Sequence, residues 1–132
     1  MKMPSSVSKG RIVMTKSICV VGLGYIGLPT AVMFANYGVK VHGVDVNPAA
    51  VKSIQEKKLH IEENGLQERL NKAVDEGFLT ASTTPVEADV FIVAVPSPIN
   101  ADKTANLEYV RKATASIVPF VKEGNLVILE ST

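Results

Sequence analysis

The stretch Ile18-Cys-Val-Val-Gly-Leu-Gly-Tyr-Ile-Gly-Leu-Pro-Thr-Ala31 constrains the fold of this chain more than any other. Ile18 to Val21 is an apolar run, β-branched apart from Cys19, as expected of a strand covered on both faces. Gly22, Gly24 and Gly27 then follow the spacing G-x-G-x-x-G. After them Leu28, Ala31, Val32, Phe34 and Ala35 recur at helical spacing until Gly38 stops the helix. Such a turn lets backbone approach a pyrophosphate closely, and the helix behind it offers N–H groups to the negative charge.

Glycine spacing alone is weak evidence; its context is what carries weight. A second strand, Lys40 to Asp45, ends in a carboxylate 18 positions after Gly27. That is close to the roughly 20 residues expected for an acid that binds a ribose. Two other readings fit part of the pattern. The glycines could serve only tight helix–strand packing, with Asp45 a solvated strand end. An S-adenosylmethionine-binding fold also pairs a glycine turn with an acid after its second strand. The third glycine, at helix-packing distance, favours a dinucleotide.

The rest of the chain keeps alternating. Asn47 and Pro48 read as cap and first turn of a helix running to about Lys58. Residues 59–65 read as a connector, Leu66 to Glu76 as an amphipathic helix ended by Gly77, and Phe78 to Ser82 as a third strand. Residues 83–88 read as a turn that could hold one helical turn, followed by a fourth strand, Asp89 to Val95. A long loop, 96–106, leads to a helix from Leu107 to about Val121, with Leu107, Val110, Ala113, Ile117 and Val118 on its apolar face. Gly124 breaks that helix, and Leu126 to Glu130 reads as a fifth strand. Repeated βα units with right-handed crossovers predict an α/β fold: a Rossmann-type doubly wound parallel sheet of order near 3-2-1-4-5. The expectation is a single, truncated dinucleotide-binding domain over 16–132, preceded by a flexible leader over 1–15. A strand ending in Glu130-Ser131-Thr132 at the ligand edge of the sheet reads as the interior of a longer protein.

With 14 Lys and Arg against 13 Asp and Glu, scattered without a stripe, nothing points to nucleic acid or an anionic membrane. There is no apolar run of membrane-spanning length, and no apolar signal-peptide core in residues 1–16. The single Cys19 suits a reducing cytoplasm and, inside an apolar strand, reads as packing rather than a nucleophile. His42 and His60, far apart and without cysteine partners, do not make a zinc site. Glu62, Glu63 and Glu68 read as a loop and a solvated helix face.

Four phrases recur in a known order: 21–31, Gly43-Val-Asp-Val-Asn47, Ala94-Val-Pro-Ser-Pro98 and Ile128-Leu-Glu-Ser-Thr132. Together they resemble the NAD-binding domain of the UDP-glucose/UDP-N-acetylmannosamine dehydrogenase family. Leu59 to Glu63, Gly77 to Asp89 and Leu126 to Thr132 are most similar to its UDP-N-acetyl-D-mannosamine 6-dehydrogenase branch. The resemblance implies oxidation of a UDP-sugar at C6, from alcohol to carboxylate, with two NAD⁺ and a cysteine thiohemiacetal and thioester. It implies that Gly22, Gly24, Tyr25, Ile26 and Gly27 wrap the pyrophosphate and that Asp45 binds the adenosine ribose. A carboxylate there repels a 2′-phosphate and favours NAD over NADP. Val95, Pro96 and Ser97 would lie along the cofactor. Thr132 would sit by the nicotinamide and help position a water, with Glu130 and Ser131 as neighbouring candidates. Ser97 stands where many members have threonine, and Ala50 where glucose-type members often carry a cation.

The family's catalytic cysteine and lysine fall beyond Thr132, so the chain by itself is expected to bind NAD weakly and to oxidise nothing. Members act in bacterial surface-polysaccharide precursor synthesis and are commonly dimers or larger, so a homo-oligomer is implied at full length. UDP-glucose or UDP-N-acetylglucosamine 6-dehydrogenases share this cofactor domain. A non-catalytic NAD-sensing module is the alternative from another class, although it would not need the 94–98 and 128–132 phrases.

Overall fold

The computed structural model describes residues 16–59 and 61–131, together with the backbone of 7–8 and 11–12. Of the expected leader only β1 (Val7–Ser8) and β2 (Arg11–Ile12) are described, and they pair antiparallel. The remainder of 1–15, His60 and Thr132 lie outside the described residues.

Five strands form one parallel sheet: β3 (Ser17–Val21), β4 (Lys40–Val44), β5 (Leu79–Ser82), β6 (Val90–Val93) and β7 (Leu126–Leu129). Their spatial order is β5-β4-β3-β6-β7, which is 3-2-1-4-5 along the chain, as the βα alternation predicts. Alternate residues of each strand feed opposite faces. Ile18, Val20, Val41, Leu79 and Ile92 meet α1 (Gly27–Asn36), α2 (Pro48–Gln55) and α3 (Leu66–Asp75) in the larger core. Cys19, Val21, Val44, Phe91 and Val93 meet Ala113 and Ile117 of α4 (Glu108–Ile117) on the other face. The chain leaves β3 in one direction to build β4 and β5, then returns to build β6 and β7 on β3's other side. The ends of β3 and β6 therefore flank the switch point at which doubly wound sheets bind ligands.

Three helices end in the same way, and only two of them announce it. Gly38 and Gly77 take left-handed φ values of 86° and 78° after α1 and α3. Their N–H groups, and those of Val39 and Phe78, donate back to the last helical carbonyls. After α2 the left-handed residue is Lys57, with φ 58°. Lys58 N–H donates to Ser53 O at 2.7 Å, and Lys57 N–H to Ile54 O at 3.0 Å. The helix expected to reach Lys58 therefore stops at Gln55. Its start is as predicted: Asn47 Oδ1 accepts from Ala49 N–H at 3.0 Å, with Pro48 in the first turn.

Two further expectations change. The helix expected over 107–121 is α-helical only from Glu108 to Ile117, and Val118–Phe120 tightens into a 3₁₀ turn around Pro119, which has no N–H to continue the ladder. Of its expected apolar face, only Ala113 and Ile117 are buried. Residues 83–88 hold no helical turn. They must cross from β5 to β6, three strand positions away, a distance of about 14 Å. The seven residues 83–89 would advance only about 10 Å as a helix, against about 23 Å when extended. The crossing runs over the α4 side of the sheet, where the Val86 backbone hydrogen-bonds Cys19. Burial pushes the Cys19 thiol up, which keeps it protonated and unreactive.

Under the same crossing His42 projects between β4 and β5. Its Nδ1 and Nε2 lie 2.7 Å from Thr80 Oγ1 and Ser82 Oγ. Ser82 Oγ donates its proton to Thr84 O at 2.7 Å, so His42 Nε2–H is assigned as donor to Ser82 and Nδ1 as acceptor from Thr80. At the opposite end of the strands, Ser17 N and Oγ donate to Asp89 Oδ2 at 2.8 and 3.2 Å and hold that carboxyl below its usual range.

β7 differs from the other strands. Leu126, Val127, Ile128 and Leu129 are all apolar, yet each is between 39% and 58% exposed. No helix among the described residues is long and apolar enough to cross a membrane.

Burial lowers the His42 pKa below its ordinary 6.5. The unfolded chain therefore takes up that proton first, and stability falls as the pH drops through 6.5 toward the lowered folded value. Urea midpoints at pH 7.5 and 5.5 check this: the chain should lose stability at pH 5.5, and His42→Asn should flatten the difference.

Candidate dinucleotide-binding site

The three glycines of the turn stand in three different surroundings. Gly22 has φ 102°, and a Cβ there would lie 2.5 Å from Ala94 O at the end of β6. Its N–H donates to Val44 O at 2.7 Å, so the turn is stitched to β4 as it leaves β3. A Cβ on Gly27 would lie 1.7 Å from Gly22 O, because α1 begins against the turn's own backbone. Gly24 is different: a Cβ there meets nothing within 4 Å, and its φ is not in the left-handed region. The protein's own packing does not require a glycine at Gly24. A ligand that must touch its backbone would, and the fit of a pyrophosphate rests on this open cradle.

The turn faces the positive end of α1. The N-cap position is Ile26, which makes no side-chain cap, and the first turn carries no acidic residue. An anion placed there meets backbone N–H groups and the helix dipole. Tyr25 projects beside the cradle, 79% exposed.

Asp45 follows β4 directly, half-buried, and its carboxylate is already oriented. Oδ2 accepts from Leu23 N–H at 3.0 Å, and Oδ1 accepts from Asn47 N–H at 2.9 Å. Its own N–H donates to Ser82 O at 3.3 Å. Both oxygens keep lone pairs for a sugar hydroxyl. Val95, Pro96 and Ser97 leave β6 on the same edge; Val95 Cγ1 comes within 3.0 Å of a Cβ built on Gly22, which brings the strand exit against the turn. Glu130 ends β7 there too, its N–H donating to Val93 O at 2.9 Å. Thr30 of α1 donates to its two carboxylate oxygens at 3.1 and 3.3 Å, across 100 residues of sequence.

The strand ends thus bring together Gly22, Gly24, Tyr25, Ile26, Gly27, Asp45, Val95, Pro96, Ser97 and Glu130. Thr132 lies outside the described residues. Sequence reasoning passed over Thr30, Leu23 and Gly43, which join the site to its supports. Gly43 carried a usable signal, since a glycine inside an otherwise β-branched strand often marks a close approach of another group. No group of three or more His, Cys, Asp or Glu among the described residues could hold a metal.

A doubly wound parallel sheet with a glycine turn at a helix N-terminus and a backbone-held carboxylate at its switch point has the architecture of a dinucleotide-binding domain. Residues 16–132 match the family model of the NAD-binding domain of the UDP-glucose/GDP-mannose dehydrogenase family, and the chain belongs to that family. It is 51% identical over 116 residues to a UDP-N-acetyl-D-mannosamine dehydrogenase of Campylobacter jejuni, covering 87% of this chain and 28% of that protein. Against the protein of the same name from Escherichia coli K12 the identity is 52%, with 88% and 28% covered. Among solved structures, the UDP-N-acetyl-mannosamine dehydrogenase of Staphylococcus aureus superposes with a TM-score of 0.86 at 49% identity, over 88% of this chain and 29% of that one. A UDP-glucose dehydrogenase from Pyrobaculum islandicum gives 0.83 at 34% identity, over 96% and 30%. The chain therefore spans a little over a quarter of the length of the curated relatives it matches.

Gly24→Ala should separate fold from site. With no atom near the added methyl, thermal unfolding should stay within a few degrees of the parent, while NAD⁺ affinity measured by titration drops about tenfold, or ~1.4 kcal/mol. Gly27→Ala, driven into Gly22 O, should instead cost the fold itself several kcal/mol, at or beyond the ~3 kcal/mol at which overpacking is already severe.

Proposed function

We propose that this chain is the cofactor domain of an NAD-dependent UDP-sugar 6-dehydrogenase, with UDP-N-acetyl-D-mannosamine as the sugar nucleotide. In this reading the domain occupies 16–132 behind a leader of 1–15, and the enzyme carrying it is a cytoplasmic homo-oligomer. The observation that carries the cofactor assignment is the pairing of the open Gly24 cradle with the pre-oriented Asp45 carboxylate. Bound NAD⁺ supplies the hydride acceptor. Gly22, Gly24, Tyr25, Ile26 and Gly27 hold the pyrophosphate at the α1 N-terminus, and Asp45 orients the adenosine ribose. Val95, Pro96 and Ser97 line the cofactor's path away from the turn, and Thr132 stands by the nicotinamide.

The choice of sugar rests on similarity. Identity is 49–52% to the UDP-N-acetylmannosamine dehydrogenases of Campylobacter jejuni, Escherichia coli and Staphylococcus aureus, 36% to one from Pyrococcus horikoshii and 34% to a UDP-glucose dehydrogenase. The uncovered apolar residues of β7 support a larger assembly. A strand apolar on both faces belongs in the interior of a parallel sheet, and covering its side chains is worth roughly 1.5–3 kcal/mol each.

Titration with NAD⁺ and NADP⁺ tests the cofactor reading. NAD⁺ should bind at least about tenfold more tightly, a margin of ~1.4 kcal/mol. Asp45→Asn, which keeps an acceptor but removes the charge, should narrow that gap. Better binding of NADP⁺, or an unchanged ratio in Asp45→Asn, would sink the assignment of Asp45 to the ribose.

A further inference from the structure

We infer that Leu23 and Gly43 form a positioning pair that sets the ribose-binding carboxylate against the glycine turn. The inference rests on the assignment of Asp45 to the ribose made above. Leu23 occupies the variable position between Gly22 and Gly24, on a turn whose next two residues are exposed, yet it is 0% exposed itself. Its side chain turns inward into the larger core and lies over β4. A Cβ built on Gly43 would fall 2.9 Å from Leu23 Cδ2 and 3.2 Å from Cδ1. The missing side chain of Gly43 is the notch that Leu23 fills.

The backbone of the same residue holds the carboxylate. Leu23 N–H donates to Asp45 Oδ2 at 3.0 Å, and the preceding N–H of Gly22 donates to Val44 O at 2.7 Å. Three successive residues of β4 and its exit, Gly43, Val44 and Asp45, are thus gripped by two successive residues of the turn. Asn47 N–H holds the other oxygen at 2.9 Å, so rotation of the carboxylate is fixed from both sides. A sugar diol then meets acceptors already in place, and less conformational freedom is lost on binding.

The pair matters because Leu23 has no open side to move into. The tip of an exposed leucine would swing away from a methyl at position 43 at little cost. A fully buried one transmits the displacement to its own backbone, and with it to the N–H on Asp45. Gly43 therefore acts through Leu23, and Leu23 acts through Asp45; neither needs to touch the cofactor.

The test is NAD⁺ titration of the 132-residue chain, followed by ¹⁵N-resolved amide spectra, with Asp45→Asn run alongside. Gly43→Ala should raise the NAD⁺ dissociation constant about three- to tenfold, a size consistent with forced overpacking at one methyl. It should also move the Leu23 amide resonance upfield as its hydrogen bond lengthens. Adding Leu23→Val to Gly43→Ala, which returns the lost space, should recover affinity to within about twofold of the parent, as coupled neighbours do. Ile117→Val, which thins the core on the opposite face, controls for lost stability and should leave the dissociation constant unchanged. If Gly43→Ala does not fold, Leu23→Ala carries the same test: it empties the notch while keeping the N–H, and should weaken NAD⁺ comparably. An unchanged dissociation constant in Gly43→Ala, or a double variant that binds worse than Gly43→Ala, overturns the pair. If Asp45→Asn weakens NAD⁺ while Gly43→Ala is silent, the ribose assignment survives and the pair alone is wrong. If Asp45→Asn is itself silent, the ribose assignment fails and the pair falls with it.

Discussion

The chain doubles back between Gly22 and Gly27 so closely that no side-chain carbon fits between them. A Cβ on Gly27 would sit 1.7 Å from Gly22 O, little more than the length of a covalent bond. That contact seats α1 against the end of β3, and α1 carries Leu28, Ala31, Val32 and Ala35 into the larger core. The same contact aims the positive end of α1 at the edge where the strands stop. Packing and binding thus share one backbone constraint, and residues later in the chain are placed relative to it. Ala94 and Val95 lie against Gly22, and Glu130 is held by Thr30 from the first turns of α1.

The two faces of the sheet are closed by different means. Three helices cover one face, and one helix with an extended crossing covers the other. The crossing is too short to be a helix and still reach β6, so it lies flat and puts polar backbone over the sheet. His42, Thr80 and Ser82 answer that with a chain of hydrogen bonds, and no buried side-chain nitrogen or oxygen among the described residues is left unpaired. A histidine that reads as bland in the sequence thereby becomes the polar link between β4, β5 and the crossing.

Much of this order is legible before any coordinates. The strand, turn, helix, strand and acid from Ile18 to Asp45 are each announced by a local rule, and so are Asn47 with Pro48 and the left-handed glycines at Gly38 and Gly77. The end of α2 is missed because Lys57 takes the left-handed conformation that a glycine would have signalled, at a local cost of about 1 kcal/mol. The long α4 is over-read because an apolar periodicity continues through Val118, while Pro119 and the lack of a covering element decide otherwise. At the site, the glycines and Asp45 are visible from spacing. Leu23 is not, since an apolar residue inside a glycine turn gives no hint of which way it points.

The sequence by itself determined the alternation of strands and helices, the sheet order and the position of the glycine turn. Those follow from periodicity, from the φ values only glycine reaches easily, and from the handedness of crossovers, all of which act over a few residues. Only the tertiary structure decided that Gly22 and Gly27 answer to protein contacts while a side chain at Gly24 would meet none, and that Gly43 makes room for Leu23. Those distinctions depend on what stands opposite each residue, which is Ala94 O after β6 for Gly22, the turn's own Gly22 O for Gly27 and the Leu23 side chain for Gly43, and these neighbours meet only once strands and turn are packed together.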